Sequence, residues 1–186
     1  MVVLNDEKIR GALIERLSMR VPRPLAIKQE VSVHNGNAIA DVVTFHKNMH
    51  CYEIKGKTDS VQRVLVQSKY YNLSFDKLSL VTTENHISWA LANLPVFWGI
   101  IKVYMDRGVV KFSYVRAATV NPLYDKKSSM LMLWKNELFL LSDKLGVQVK
   151  KSFSREDIAS VISDKVDKKT ILDEVCLALK DRSAVF

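Results

Sequence analysis

The spacing of apolar positions changes along the chain, and each change predicts a new element. Ile9, Ala12, Leu13 and Leu17 recur at helical spacing behind Asn5, a natural N-cap with Asp6 and Glu7 in the first turn, so a helix runs to about residue 19. Pro22 and Pro24 end it. Residues 28–34 alternate like a strand, and His34-Asn35-Gly36-Asn37 reads as a turn because Asn and Gly tolerate positive φ. Residues 40–55, ADVVTFHKNMHCYEIK, read as a two-stranded hairpin around a polar turn at His46, Lys47 and Asn48. Thr58 or Asp59 is available to cap a helix to about residue 71. A strand over 75–81, a helix over 84–94 and a strand over 97–104 follow. A turn at Arg107-Gly108 leads into an edge strand over 109–115.

Beyond residue 116 no strand pattern recurs. The spacing predicts a helix over 130–145, stopped by Gly146, with Leu131, Trp134, Leu138 and Leu141 as its buried stripe. Ser154 caps a second helix with Asp157 as its box partner, and Asp167 or Thr170 opens a third that ends near residue 182. The first half is therefore an α/β layer and the second an all-α appendage, divided as residues 1–120 and 121–186.

Composition narrows the partners more than the fold. At 186 residues and 48% hydrophobic, the chain can bury one core, or one core with a small appendage. A formal net charge of +8 favours a polyanion such as nucleic acid. Two distant cysteines, Cys51 and Cys176, predict neither a disulfide framework nor a zinc site and favour a reducing, cytoplasmic location. Acids near the N-terminus argue against a signal peptide, and no apolar run is long enough to span a membrane.

The hairpin carries the candidate chemistry. Side chains alternate faces, so Glu53 and Lys55 share a face with Cys51, and Asp41 joins them if the turn has an odd number of residues or the strand carries a bulge. A turn at 46–48 places Asp41 opposite Glu53; a turn at 47–49 places it opposite Lys55. Two carboxylates beside an ammonium suit metal-dependent cleavage of a phosphodiester, the acids holding Mg²⁺ or Mn²⁺ and the lysine assisting an attacking water. The plainer alternative is a surface salt-bridge cluster on an exposed sheet face. On the next helix Arg63, Gln67 and Tyr71 fall at i, i+4 and i+8, one polar face.

Asp41, then Glu53-Ile54-Lys55, then a helix with Gln67 and Tyr71, resembles the PD-(D/E)XK nuclease superfamily, in particular its RecB-like branch with a Gln-x-x-x-Tyr helix. The similarity continues through Phe75-Asp76, Leu80-Val81, Leu94-Pro95 and Trp98-Gly99-Ile100, a pattern like that of a group of small bacterial nuclease-like proteins. The resemblance implies a restriction-endonuclease-like mixed central sheet flanked by helices. It further implies Asp41 and Glu53 as metal ligands and Lys55 as catalytic lysine. Gln67 and Tyr71 would position the phosphate or the lysine, and Glu15 would be the acid contributed by the first helix. Glu30 competes with Glu15 for that place, and Tyr70 with Tyr71. The first motif has Ala40 where the superfamily often has proline.

Helix, basic loop, helix across residues 131–165 resembles a SAP-like DNA-binding module, in which Lys150, Lys151 and Arg155 would contact phosphates, with Lys57 and Arg63 adding contacts from the first half. The alternative is that these helices simply pack on the sheet or form a dimer surface. His46, His50 and His86 lack metal-ligand spacing, and Trp89, Trp98 and Trp134 read as core. Together these readings predict a Mg²⁺-dependent deoxyribonuclease, bacterial or phage-encoded, serving DNA repair or phage defence, with a homodimer possible. A catalytically idle DNA-binding or accessory protein is the alternative.

Overall fold

In the computed structural model, which describes residues 4–182, the first helix, α1, spans Asp6–Ser18. The Asn5 side chain caps it by accepting from the Lys8 amide at 3.2 Å, and Ile9, Leu13 and Leu17 are its buried residues. Residues 1–3, part of the stretch that argued against a signal peptide, lie outside the described residues. Strands β1 (Ala26–Val33), β2 (Ala38–Phe45), β3 (Met49–Lys55), β4 (Lys77–Thr82), β5 (Gly99–Asp106) and β6 (Val109–Arg116) form one sheet in chain order. The first three are an antiparallel meander, β3–β4 and β4–β5 are parallel, and β6 returns antiparallel to β5. Parallel neighbours need a crossover. Helices α2 (Arg63–Ser74) and α3 (Ile87–Asn93) supply the two that this order demands. After β6 come α4 (Lys126–Met130), α5 (Lys135–Lys144), α6 (Arg155–Lys165) and α7 (Lys168–Asp181). The protein is thus mixed α/β, with a six-stranded mixed sheet and, among the described residues, seven α-helices. No helix among them is long and apolar enough to cross a membrane.

Each face of the sheet has its own core. On one, the α1 stripe packs against Val42, Tyr52, Ile54, Val81 and Ile101. On the other, Cys51, Leu78, Leu80 and Ile100 share a single cluster with Val64 and Tyr71 of α2 and with Met130, Leu138, Ile158 and Val175 of the C-terminal helices. These helices therefore bury their apolar stripes on the sheet rather than among themselves alone.

Several local signals act as read. Arg107 (φ 47°) and Gly108 (φ 82°) make the tight β5–β6 turn, and Asn35 (φ 61°) with Gly36 (φ 87°) makes the β1–β2 connection. Ser154 and Asp157 form the capping box of α6, and Asp167 caps α7.

Two helices depart from the reading. α2 begins at Arg63, because the Asp59 carboxylate accepts from the Gly56 amide at 2.7 Å and closes the preceding loop on itself instead of capping a helix. The helix expected over 130–145 is broken between α4 and α5, and the break lets Leu131, Met132 and Leu133 all be buried, which no single helical face permits. Trp134 is displaced from the expected stripe. It is 45% exposed at the N-cap of α5, with the Arg182 guanidinium 4.4 Å from its ring centre. Trp98 is buried as expected, donating its indole N–H to Asn72 at 2.8 Å, and Trp89 is half-buried.

Candidate functional site

The β2–β3 turn consists of His46, Lys47 and Asn48, since Phe45 pairs with Met49. This is the odd-numbered turn that puts Asp41 on the Glu53 register. Pairing between the two strands stops at Val42 and Tyr52, while β1–β2 pairing continues to Val33 and Ala38. The N-terminal half of β2 therefore leaves β3, and the Asp41 carboxylate fills the opening by accepting from the Ile54 amide at 2.7 Å. Across on β1, at the position facing Asp41, Glu30 adopts φ 52°, a left-handed conformation uncommon for a residue with a side chain. Here the alternation of faces slips: Ala38 and Ala40 join Val43 and Phe45 in one core.

Glu53 is fully buried, and both of its oxygens are engaged. One accepts from the Lys55 ammonium; the other lies 3.0 Å from the Tyr71 hydroxyl. That hydroxyl shares its one proton between Glu53 and the Ile39 carbonyl, 2.6 Å away, and accepts from the Gln67 amide at 3.1 Å. Burial, then the negative Glu53, raise the Tyr71 pKa, so the phenol stays neutral. Burial and the neighbouring Glu53 likewise push Asp41 up to about 7, against the opposing pull of the Ile54 amide and Lys55. Arg10 lies 3.6 Å from Asp41, but its charge is shared with Asp6 at 2.7 Å and Glu30 at 2.9 Å.

The structure thus gathers Asp41, Glu53, Lys55, Gln67 and Tyr71 as the sequence anticipates, and Tyr71 rather than Tyr70 is the tyrosine that reaches them. Tyr70 instead packs against the His34 ring, 5.3 Å between centres. Glu15 is exposed on α1, which contributes Arg10 to the cluster in its place, and Glu30 is 69% exposed on the far side of Arg10. Sequence reasoning missed Arg10. Its signal is the Asp6–Arg10 spacing of i, i+4. With the carboxylate oxygens already met by Lys55, Tyr71, the Ile54 amide and Arg10, the donor set does not fit a resident hard cation. Among the described residues no group of three or more His, Cys, Asp or Glu side chains is placed to hold a metal. The arrangement acts as a polar lock between α1, the hairpin and α2.

The basic residues divide into two kinds. Lys57, Arg63, Lys150 and Lys151 are exposed. Arg155 turns inward, donating to the Leu131 carbonyl at 2.5 Å, the Leu133 carbonyl at 2.6 Å and the Asn35 side chain at 2.5 Å. It holds the α4–α5 break and the β1–β2 turn, a structural task in place of the expected phosphate contact. Arg155→Met should cost about 2 kcal/mol by stranding the Leu131 and Leu133 carbonyls, read by chemical denaturation.

Away from these, cations converge where α1 ends beside the β2–β3 turn and the start of β4. Burial, then Arg20 and Lys77, lowers the His46 pKa, and burial followed by Lys77, Arg20 and His46 carries His50 down to about 3; among the described residues no acid is one of the charged neighbours acting on either ring. Lys47 lies in that turn, and Arg23 lies two residues before Leu25, whose amide donates to the Phe45 carbonyl at 2.7 Å. Among the described residues Arg16, Arg20, Arg23, Lys47 and Lys77 make no ion pair. The Arg16 guanidinium lies 5.6 Å from the Phe112 ring centre and that of Arg20 5.8 Å from Tyr114, whose hydroxyl it also meets at 2.5 Å. Sequence reasoning passed over this patch, although Arg16 and Arg20 at i, i+4 signalled it.

A family model described as "Bacteriophage P4 protein cII" matches residues 2–186. Protein cII of Enterobacteria phage P4 is 24% identical over 181 residues, which take in 97% of this chain and 68% of that protein. No solved structure matches. These matches overturn the expected membership of the PD-(D/E)XK superfamily, and with it the expected Mg²⁺-dependent deoxyribonuclease and the roles in repair or defence attached to it. The residues that carried that resemblance are a short, widely spaced set of charged and polar side chains. Here the same side chains meet around a fully buried Glu53, whereas the plainer reading places them on an exposed sheet face.

Proposed function

The chain belongs to the bacteriophage P4 protein cII family, and from that membership we propose that it is a phage regulatory protein that acts by occupying DNA. The observation that carries the reading is the basic patch of Arg16, Arg20, Arg23, Lys47 and Lys77, which has no ion pair among the described residues, on a chain of formal net charge +8. Cations without acidic partners are free to replace the counterions condensed on a phosphate backbone, and release of those counterions drives association. His46 and His50, whose pKa values are lowered first by burial and then by the neighbouring cations, stay neutral near pH 7. Lys57, Arg63, Lys150 and Lys151 lie exposed elsewhere and add longer-range attraction.

The test is fluorescence anisotropy with a labelled 30-base-pair duplex between 50 and 300 mM KCl. Arg20→Glu/Lys77→Glu should weaken binding at least roughly 30-fold at 100 mM and flatten the log K against log salt slope by about 2, close to 0.9 for each phosphate that is no longer neutralised. Lys150→Glu/Lys151→Glu should weaken it less. If the Arg20→Glu/Lys77→Glu protein keeps its affinity and slope, the patch is not the interface.

A further inference from the structure

Building on the DNA-binding reading above, we infer that the surface where the C-terminal half of α1 runs beside β6 takes a single DNA strand, with phosphates on Arg16 and Arg20 and an unstacked base on Tyr114. Two periodicities coincide there. Four residues of α-helix rise about 6 Å, and two residues of strand about 6.6 Å. Arg16 and Arg20 on α1 therefore keep step with Phe112 and Tyr114 on β6, and two guanidinium–ring pairs form side by side. The buried stripe of α1, Ile9, Leu13 and Leu17, fixes the helix on the sheet and so fixes this spacing.

Tyr114 decides the partner. It is 50% exposed on the last strand of the sheet, beside Arg16 and Arg20, which make no ion pair among the described residues. A duplex hides the faces of its bases in the stack, so an exposed ring gains little from it; a single strand can lay a base on the ring while its backbone tracks the arginines. The Arg20 contact to the Tyr114 hydroxyl orients the ring and leaves a guanidinium poised beside the strand's path.

The test compares a labelled dT20 with a 20-base-pair duplex at equal salt, using the whole protein. dT20 should bind more tightly than the duplex. Tyr114→Leu should weaken dT20 binding roughly tenfold or more, the scale of one base stack, with duplex affinity within twofold. Tyr114→Phe, which keeps the ring, should retain dT20 binding. Since Tyr114 is half-exposed, the thermal transition of each variant should match that of the unsubstituted protein, so that affinity reports binding rather than folding. Tighter duplex binding, a silent Tyr114→Leu, or a Tyr114→Phe as weak as Tyr114→Leu overturns the inference. In those cases a duplex affinity that still falls with Arg20→Glu/Lys77→Glu leaves the broader DNA-binding reading standing. No binding to either DNA sinks both.

Discussion

Replacing Lys55 with methionine lowers the free energy of unfolding by about 3–5 kcal/mol at pH 7, the usual cost of stripping a buried charge of its partner. Glu53 has no exposed surface, and among the described residues Lys55 supplies its one cationic contact. Taking away the ammonium leaves the carboxylate facing Tyr71 and Asp41, neither of which neutralises it. Equilibrium denaturation in urea reads the loss. Pairing Lys55→Met with Glu53→Leu should restore much of it, because a buried ion pair is replaceable by apolar groups whereas a lone buried ion is not. A change below about 1 kcal/mol for Lys55→Met would show that the ion pair does not hold the lock shut.

Asp41 gives the second large effect, and its sign runs opposite to that of a salt-bridged acid. Its pKa is raised from 3.8 to about 7 in the folded protein, so between about pH 4 and 7 the folded state keeps a proton that the unfolded chain has released. Stability from this group is therefore full below pH 4, declines as pH rises through that window, and is gone above 7. A shift of about three units corresponds to roughly 4 kcal/mol. Asp41→Asn, which still offers an oxygen to the Ile54 amide, abolishes the titration. Denaturation midpoints taken at pH 4.5, 6 and 7.5 should fall more steeply for the unsubstituted protein than for Asp41→Asn. Parallel profiles would mean that Asp41 is ionised throughout.

What the sequence discloses here follows the range of the forces involved. Turns and caps are settled by a few neighbouring residues, so Arg107-Gly108, Ser154 with Asp157, and Asp167 could be read directly. The sequence narrows the register of the central hairpin to two values, and the placing of the turn at His46, Lys47 and Asn48 selects the one facing Asp41 to Glu53. The α4–α5 break was not legible, because it exists to bury Leu131, Met132 and Leu133 together on a sheet face that the local pattern does not encode. Arg10 and the Arg16–Phe112 and Arg20–Tyr114 pairs depend on how α1 lies across strands nearly a hundred residues away. Asp41, Glu53, Lys55, Gln67 and Tyr71 do converge. Their convergence was visible in the sequence, but it does not specify chemistry, since charged groups sharing a sheet face can as well be neutralising one another.

The first strand is fastened to the helical layer near both of its ends. Asn35, just past its exit, is gripped by Arg155 and Glu156 of α6, and Lys28, near its start, donates to the Arg182 carbonyl at 2.7 Å where α7 finishes. Helices clamped at two such separated anchors cannot swivel like a lobe on a tether. Whatever pulls on them pulls on the whole plate of strands, and a force applied at one side of the molecule is felt, as in a stiff board, at the other.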